Sequence, residues 1–272
     1  MLVLVTELRA TSTDGATIAA LDEGSGPALL VVHPGGLDAS SWDGVTKLLT
    51  DEFRVVRIQR RIYAPGAELP RNHSMAVEAA DILAILDLLD RPVLLVGHSS
   101  GAVAALEAAL LVPASSFSAI LVYEPPMPTR TPLLGEAGPR SRAALQAGDP
   151  VEAMRIHLRD IVRMPAREVD AMLLHPAARA AFSATAAPQV TDNEAIEALG
   201  VGMDRFAALD VPTTLVEGDC SPAHLRERVA DLASVLPHAR VVTLPGQGHI
   251  AHLLAPETLA AAIRELAARV TG

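Results

Sequence analysis

Hydrophobic and polar positions along this chain follow two alternating patterns. Short apolar runs appear at Ala28–His33, Phe53–Ile58, Pro92–Val96, Ser118–Tyr123, Thr213–Glu217 and Arg240–Leu244. The most continuous of these suit strands covered on both faces of a sheet, where no position has to stay polar. Longer segments with a 3.6-residue period lie between them. Ser74–Leu89 places Val77, Ile82, Leu83, Ile85, Leu86 and Leu89 on one stripe, with Ser74 as its N-cap. Ala102–Val112, Pro222–Leu236 and Pro256–Val270 read as further helices. Ahead of all these, Leu2–Ser12 and Thr17–Asp22 predict two strands joined by an Asp14-Gly15 turn.

From Pro125 to about Asp210 the pattern changes. Prolines recur, and short helices carry their own start signals. Asp149-Pro150 pairs an N-cap with a first-turn proline, and Thr191-x-x-Glu194 fits a capping box. No comparable strand is predicted there. Strand–helix alternation implies an α/β fold, a mostly parallel twisted sheet flanked by helices. The expected organisation is a core of residues 1–124 and 211–272, with a helical cap or lid at 125–210 inserted before the last two strands.

Composition narrows the classes. Of 272 residues, 50% are hydrophobic and only 3% aromatic, so aliphatic side chains and alanine must fill the interior. The chain is long enough to bury a core without metal or disulfide. Its net charge of −10 argues against nucleic acid or an anionic membrane as partner. A single cysteine, Cys220, excludes an internal disulfide and a multi-cysteine zinc site. No run approaches the roughly 18 apolar residues of a membrane helix, and MLVLVTELR lacks the basic start of a secretory signal. The expectation is a cytoplasmic protein; a homodimer is left open.

The strongest chemical signal is Gly97-His98-Ser99-Ser100-Gly101. It follows a strand and opens a helix, the setting in which flanking glycines let the chain turn tightly and present Ser99 Oγ at the sheet edge. The alternative is a glycine-rich turn whose serine only caps the helix. Nine histidines compete to be its base. His249, after the last strand in Leu244-Pro-Gly-Gln-Gly-His249, reaches the same sheet edge. His98 adjoins Ser99 but points away, and His33 ends a strand, where orienting a loop suits it better. His73, His157, His175, His224 and His238 read as solvent-facing, and His252 as a surface residue. A metal site at His249-x-x-His252 lacks a carboxylate partner at helical spacing. The N–H of Ser100 and one from His33-Pro34-Gly35-Gly36 are the candidate oxyanion donors, with Gly35 preferred.

These motifs together resemble the α/β-hydrolase superfamily over nearly the whole chain apart from the cap. The resemblance implies a serine–acid–histidine triad in that chain order, no cofactor, no metal, and ester, thioester, lactone or amide substrates. Serine at position 99 argues against the relatives that dehalogenate or open epoxides. The family's usual acid position, after the penultimate strand, holds Ser221 here, with Asp219 offset by two and better suited to starting the next helix. Glu124, in LVYEPP after the strand that follows the elbow helix, matches the layout of zearalenone lactonases. Glu124 is preferred to Asp219; the alternative is that it only packs at the Pro125-Pro126 hinge.

The implied function is cofactor-free hydrolysis of an ester or lactone of a small apolar substrate through Ser99, His249 and Glu124. The alternatives are a lyase or acyltransferase on the same fold, or a ligand receptor with an idle triad. Arg60-Arg61 suit an anionic substrate group or loop-fixing ion pairs equally. Trp42 reads as packing beneath the oxyanion loop. Met127, Met154, Met164, Met172 and Met203 read as ordinary cap interior, and Cys220 as incidental.

Overall fold

A computed structural model describes residues 5–66, 68–70 and 72–271. Among these residues, eight strands form one sheet in the order β1-β2-β4-β3-β5-β6-β7-β8. They are β1 (Thr6–Thr11), β2 (Thr17–Gly24), β3 (Ala28–Val32), β4 (Arg54–Ile58), β5 (Val93–His98), β6 (Phe117–Tyr123), β7 (Thr213–Gly218) and β8 (Ala239–Leu244). β1–β2 and β2–β4 pair antiparallel, and the remaining pairs are parallel. The expected first strand is shorter than its pattern, and Leu2–Leu4 lie outside the described residues. Gly15, at φ +85°, turns the β1–β2 hairpin, and Asp14 Oδ1 accepts the Ala16 N–H at 3.1 Å.

Among the described residues, ten α-helices accompany the sheet: α1 (Asp43–Lys47), α2 (Met75–Leu86), α3 (Ser100–Ala109), α4 (Ala137–Gln146), α5 (Pro150–Ile156), α6 (Ala166–Leu174), α7 (Pro176–Glu197), α8 (Ala223–Ala233), α9 (Ala251–Leu254) and α10 (Pro256–Thr271). The two faces of β3, β5 and β6 are buried in separate apolar clusters. Leu30, Val32, Leu95 and Val122 meet Ile82, Leu86, Val103 and Leu106 on one side. Leu29, Val31, Val96 and Leu121 meet Trp42, Leu259 and Ile263 on the other. That two-sided burial is why these strands read as continuous apolar runs. No helix among the described residues is long and apolar enough to cross a membrane.

The chain steps from β3 outward to β4, then returns to lay β5 on β3's other side. Loops leaving the carboxyl ends of β3 and β5 therefore diverge, which opens a crevice at this reversal of strand order. The loop Pro34–Gly36 and the turn at Ser99 both sit at that edge.

Between β6 and β7 the chain makes a wholly helical excursion, α4 to α7. Asp149 caps α5 through the Glu152 N–H, with Pro150 in the first turn, as the sequence predicts. Thr191 and Glu194 do not start a helix: both lie inside the 22-residue α7, which runs on through Pro188. Proline costs an interior helix a hydrogen bond. Packing overrides that cost, because the second half of α7 is buried in two apolar clusters, Ala186 and Val190 in one and Ala195 and Ile196 in the other.

Candidate active site

Ser99 sits at φ 53°, ψ −126°, a conformation few side chains adopt, at the junction of β5 and α3. Both neighbouring glycines are required by space. A Cβ on Gly97 would come within 2.5 Å of Ala102 Cα, and one on Gly101 within 2.3 Å of the His33 carbonyl oxygen. Ser99 N–H donates to the Tyr123 carbonyl at 2.8 Å, which holds the turn against β6. Such strain costs about 1–3 kcal/mol and persists only where surrounding structure enforces it.

His249 Nε2 lies 3.0 Å from Ser99 Oγ, and His249 Nδ1 lies 2.5 Å from Glu124 Oε2. A carboxylate can only accept, so Nδ1 carries the proton and the Nε2 lone pair faces the serine hydroxyl. Glu124 is fully buried, just past the end of β6, at φ +45°. Its Oε1 accepts the Gly218 N–H at 2.8 Å, and its own N–H donates to the Val216 carbonyl. Both carboxylate oxygens are thus occupied, which fixes the carboxylate plane toward His249. The structure brings Ser99, His249 and Glu124 together as the sequence predicts. Asp219 is exposed and does not cap α8, which has no side-chain cap.

The loop bearing His249 is held from beneath. His98 Nε2–H donates to the His249 carbonyl at 2.9 Å, and Tyr123 O–H donates to the Gly248 carbonyl. The Cys220 N–H donates to the Gln247 carbonyl at 2.9 Å. That approach demands glycine at 218, where a Cβ would stand 2.2 Å from Gln247 O. His98 stacks on Tyr123 at 4.5 Å and meets the ring of His252 edge-on at the same distance. His252 stacks in turn on buried Trp42. Burial, then the neighbouring His252 and His249 rings, pushes the His98 imidazole well below its ordinary value. Burial, then His249, lowers His252 to about 4.

His252 is therefore an interior residue and not a surface one. His73, His157 and His224 are also buried, against the expectation of solvent-facing rings; only His175 and His238 are exposed. Short polar motifs in helix or turn context carry no sign of which face will be covered, and here the helical excursion covers them.

Behind the Pro34–Gly36 loop lies a second polar network. His33 Nε2 accepts the Arg60 N–H at 3.2 Å, so Nδ1 is protonated and donates to the Pro34 carbonyl at 2.8 Å. His33 orients this loop, as its position at the strand end suggests. Burial, then Arg60's charge, lowers His33 to about 3. Gly36 needs its φ of +73°, and Gly35 needs its missing side chain. A Cβ there would stand 2.7 Å from Gln189 Oε1, 2.8 Å from Tyr63 Oη and 3.0 Å from Ser100 Oγ. Ser100 opens α3, so its N–H is among those a helix leaves without an internal acceptor.

Arg60 is fully buried and binds three partners: Glu78 Oε2 at 2.9 Å, Ser100 Oγ at 2.8 Å and Asp192 Oδ1 at 2.6 Å. Tyr63 O–H donates to Asp192 Oδ2 at 2.9 Å, and Arg60 stacks over the Tyr63 ring. Burial opposes charge on Asp192, but Arg60, with His73 and Ser100, outweighs it and holds the carboxyl well below its ordinary range. Arg60 is thus an internal ion-pair residue and not a free anion site. Arg61 likewise pairs with Asp14 and Asp81. His73, Glu78 and Asp192 bring three potential ligand atoms within 4.8 Å of one another. The Arg60 guanidinium already pairs with both carboxylates and so neutralises the charge that would otherwise draw a cation there. The sequence reading missed Tyr63, Gln189 and Asp192; the buried polar residues Gln189, Asp192 and Asn193 sit among small and apolar ones on α7, with no local pattern that marks them as interior.

A model of the alpha/beta hydrolase family matches residues 29–262. Among curated proteins, the chain is 35% identical over 106 residues to the pimeloyl-(acyl-carrier protein) methyl ester esterase of Methylococcus capsulatus, covering 38% of this chain and 39% of that protein. It is 34% identical over 93 residues to a non-heme haloperoxidase of Rhodococcus erythropolis, covering 34% of each. The match therefore spans well under half the length of these curated relatives. An alpha/beta hydrolase from Sphaerobacter thermophilus superposes with a TM-score of 0.83 at 28% identity, covering 95% of this chain and 99% of that one. An esterase from Thermogutta terrifontis gives 0.68 at 24% identity over 97% and 99% of the two chains, a likeness of fold.

Proposed function

The chain belongs to the alpha/beta hydrolase family, and from that premise we propose that it is a serine hydrolase that cleaves an ester or lactone bond through Ser99, His249 and Glu124. The observation that carries this reading is the unbroken relay from buried Glu124 through His249 to Ser99 Oγ. His249 takes the Ser99 proton as Oγ attacks the acyl carbon. The N–H groups of Gly35 and Ser100 stabilise the developing oxyanion, and His249 then protonates the leaving alcohol. Water, activated by the same imidazole, releases the acid and restores Ser99. Glu124 holds the tautomer and supports the transient imidazolium without taking the proton.

Exposed Leu37, just past the Gly35-Gly36 turn, and exposed Ile250, Leu253 and Leu254, just past His249, flank the site with apolar surface. They support an apolar portion in the substrate. The excursion from α4 to α7 acts as the cap that bounds this space, since Gln189 of α7 abuts Gly35. The experiment is intact-mass and peptide mapping after fluorophosphonate treatment of the wild type and Ser99→Ala. One stoichiometric adduct on Ser99, absent from the variant, is expected. A folded wild type that takes no adduct overturns the reading and favours a receptor or lyase.

A further inference from the structure

Ser221, His224 and Arg228 are each more than nine-tenths buried, and each carries a polar atom without a hydrogen-bond partner: Ser221 Oγ, His224 Nε2 and Arg228 Nη1. A buried guanidinium nitrogen left unpaired is costly, and native structures rarely carry one without a reason. The three residues are not scattered. Positions 221, 224 and 228 fall on one stripe, running from just before α8 into its second turn, and α8 begins without any side-chain cap. The first N–H groups of this 11-residue helix add their partial positive charge at the same end.

Two further features converge there. The Ile161 carbonyl faces His224 and favours its protonated form, which sets the segment ending at Arg163 near the start of α8. Arg163 is exposed and held at φ +62°, a left-handed conformation unusual for arginine. Burial, and then the charges of Arg228 and Arg163, lower His224 to about 4, with His249 contributing in the same sense. Burial and Arg163 also destabilise the charge on Arg228 more than Glu197, Glu227 and Asp231 support it. Asp231 already serves Thr129 and Arg130, and Glu197 accepts the N–H groups of Leu133 and Leu134. In a chain of net charge −10, this is a local concentration of donors without hydrogen-bond partners.

The cluster adjoins the catalytic loop. Cys220, next to Ser221, bonds to Gln247, two residues before His249. We propose that Ser221, His224, Arg228 and Arg163 form a subsite beside His249 that binds a carboxylate carried by the substrate, so that the preferred ester is the monoester of a dicarboxylic acid. This deepens the hydrolase reading and rests on it for the word substrate, although anion binding itself does not. The nearby carboxylates favour a single negative charge over a dianion such as phosphate.

Two measurements separate the ideas. Calorimetric titration of glutarate into Ser99→Ala, at low salt, should give saturable binding that weakens at least tenfold when Arg228→Gln is added and is partly restored by Arg228→Lys. In the wild type, kcat/KM for monomethyl glutarate should exceed that for methyl butyrate. That ratio should fall at least tenfold in Arg228→Gln, chiefly through KM, with thermal melting confirming that each variant folds. Glutarate binding that is absent, or indifferent to Arg228, overturns the subsite even if neutral esters turn over. Arg228-dependent glutarate binding without ester turnover or a Ser99 adduct keeps the subsite and overturns the hydrolase reading.

Discussion

Two polar networks flank the turn at residues 99–100, and they differ in what they leave free. On one side, Glu124, His249 and Ser99 form a line whose far end opens outward: the His249 side chain is 19% exposed while Glu124 is fully buried. On the other, Arg60, Glu78, Asp192, Tyr63 and Ser100 form a closed set with no exposed member. In the first, the histidine's remaining lone pair meets a hydroxyl that can pass on a proton. In the second, the guanidinium has a partner on each of three nitrogens. A network with one end open to solvent can do chemistry, and an enclosed one holds parts in place. The Arg60 set ties α2, the elbow and α7 to one another, so it couples the helical excursion to the loop that carries Gly35.

The largest expected effect separates the two by activity. Glu124→Gln keeps an acceptor for the Gly218 N–H but offers His249 an amide that can favour the wrong tautomer. We expect kcat to fall by about 10⁴ with little change in the unfolding transition. If ester turnover survives in Glu124→Gln and collapses in Asp219→Asn, the acid has been misassigned and the line of three is not the working one.

A smaller effect, of a different kind, is expected on the closed side. Arg60→Met leaves Asp192 and Glu78 as buried charges without their main partner. Chemical denaturation should show a loss of about 3–5 kcal/mol, the range for breaking a buried ion pair from one side. Fluorophosphonate labelling of the fraction that remains folded should still modify Ser99. A change of under 1 kcal/mol would mean that water replaces the guanidinium freely, and the contrast between closed and open networks would fail.

The smallest expected effect concerns pH. His33 and His157 are lowered to about 3 and about 4, each first by burial, and His252 to about 4. The unfolded chain protonates these rings near 6.5 while the folded chain does not. Stability is therefore full above that value and declines as pH falls from about 6.5 toward 4. Each ring adds at most about 1.4 kcal/mol per pH unit in that window. Denaturation midpoints at pH 7 and pH 5 should show the loss, with net proton uptake on unfolding. Equal stability at the two values would show that the interior around these rings is wetter than their burial indicates.

Much of this molecule was legible in its sequence because the relevant physics is local. Continuous apolar runs marked β3, β5, β6 and β7, since strands covered on both faces have no polar side to show. The Gly97-x-Ser99-x-Gly101 turn announced itself because a side chain at either glycine would collide with backbone. Glu124 could be placed at a strand end by the abrupt stop at Pro125-Pro126. The helical excursion was legible as helix but not as helices of given length. Thr191 and Glu194 made a sound local start signal, and it lost to the buried face of α7.

The sequence by itself determined the α/β alternation, the tight serine turn, and the sheet edge at which a serine, a late histidine and a strand-end glutamate would gather. The alternation and the turn follow from periodicity and backbone sterics, which act over a few residues; the place of Glu124 beside the histidine was implied by the family resemblance. Only the tertiary structure decided the carboxylate's grip on His249, Arg60's burial among three partners and the interior placement of four histidines. It also left Arg228 Nη1 buried without a hydrogen-bond partner. Each of these depends on what a distant segment covers, and burial, which sets the strength of charges and hydrogen bonds, is a property of the packed molecule.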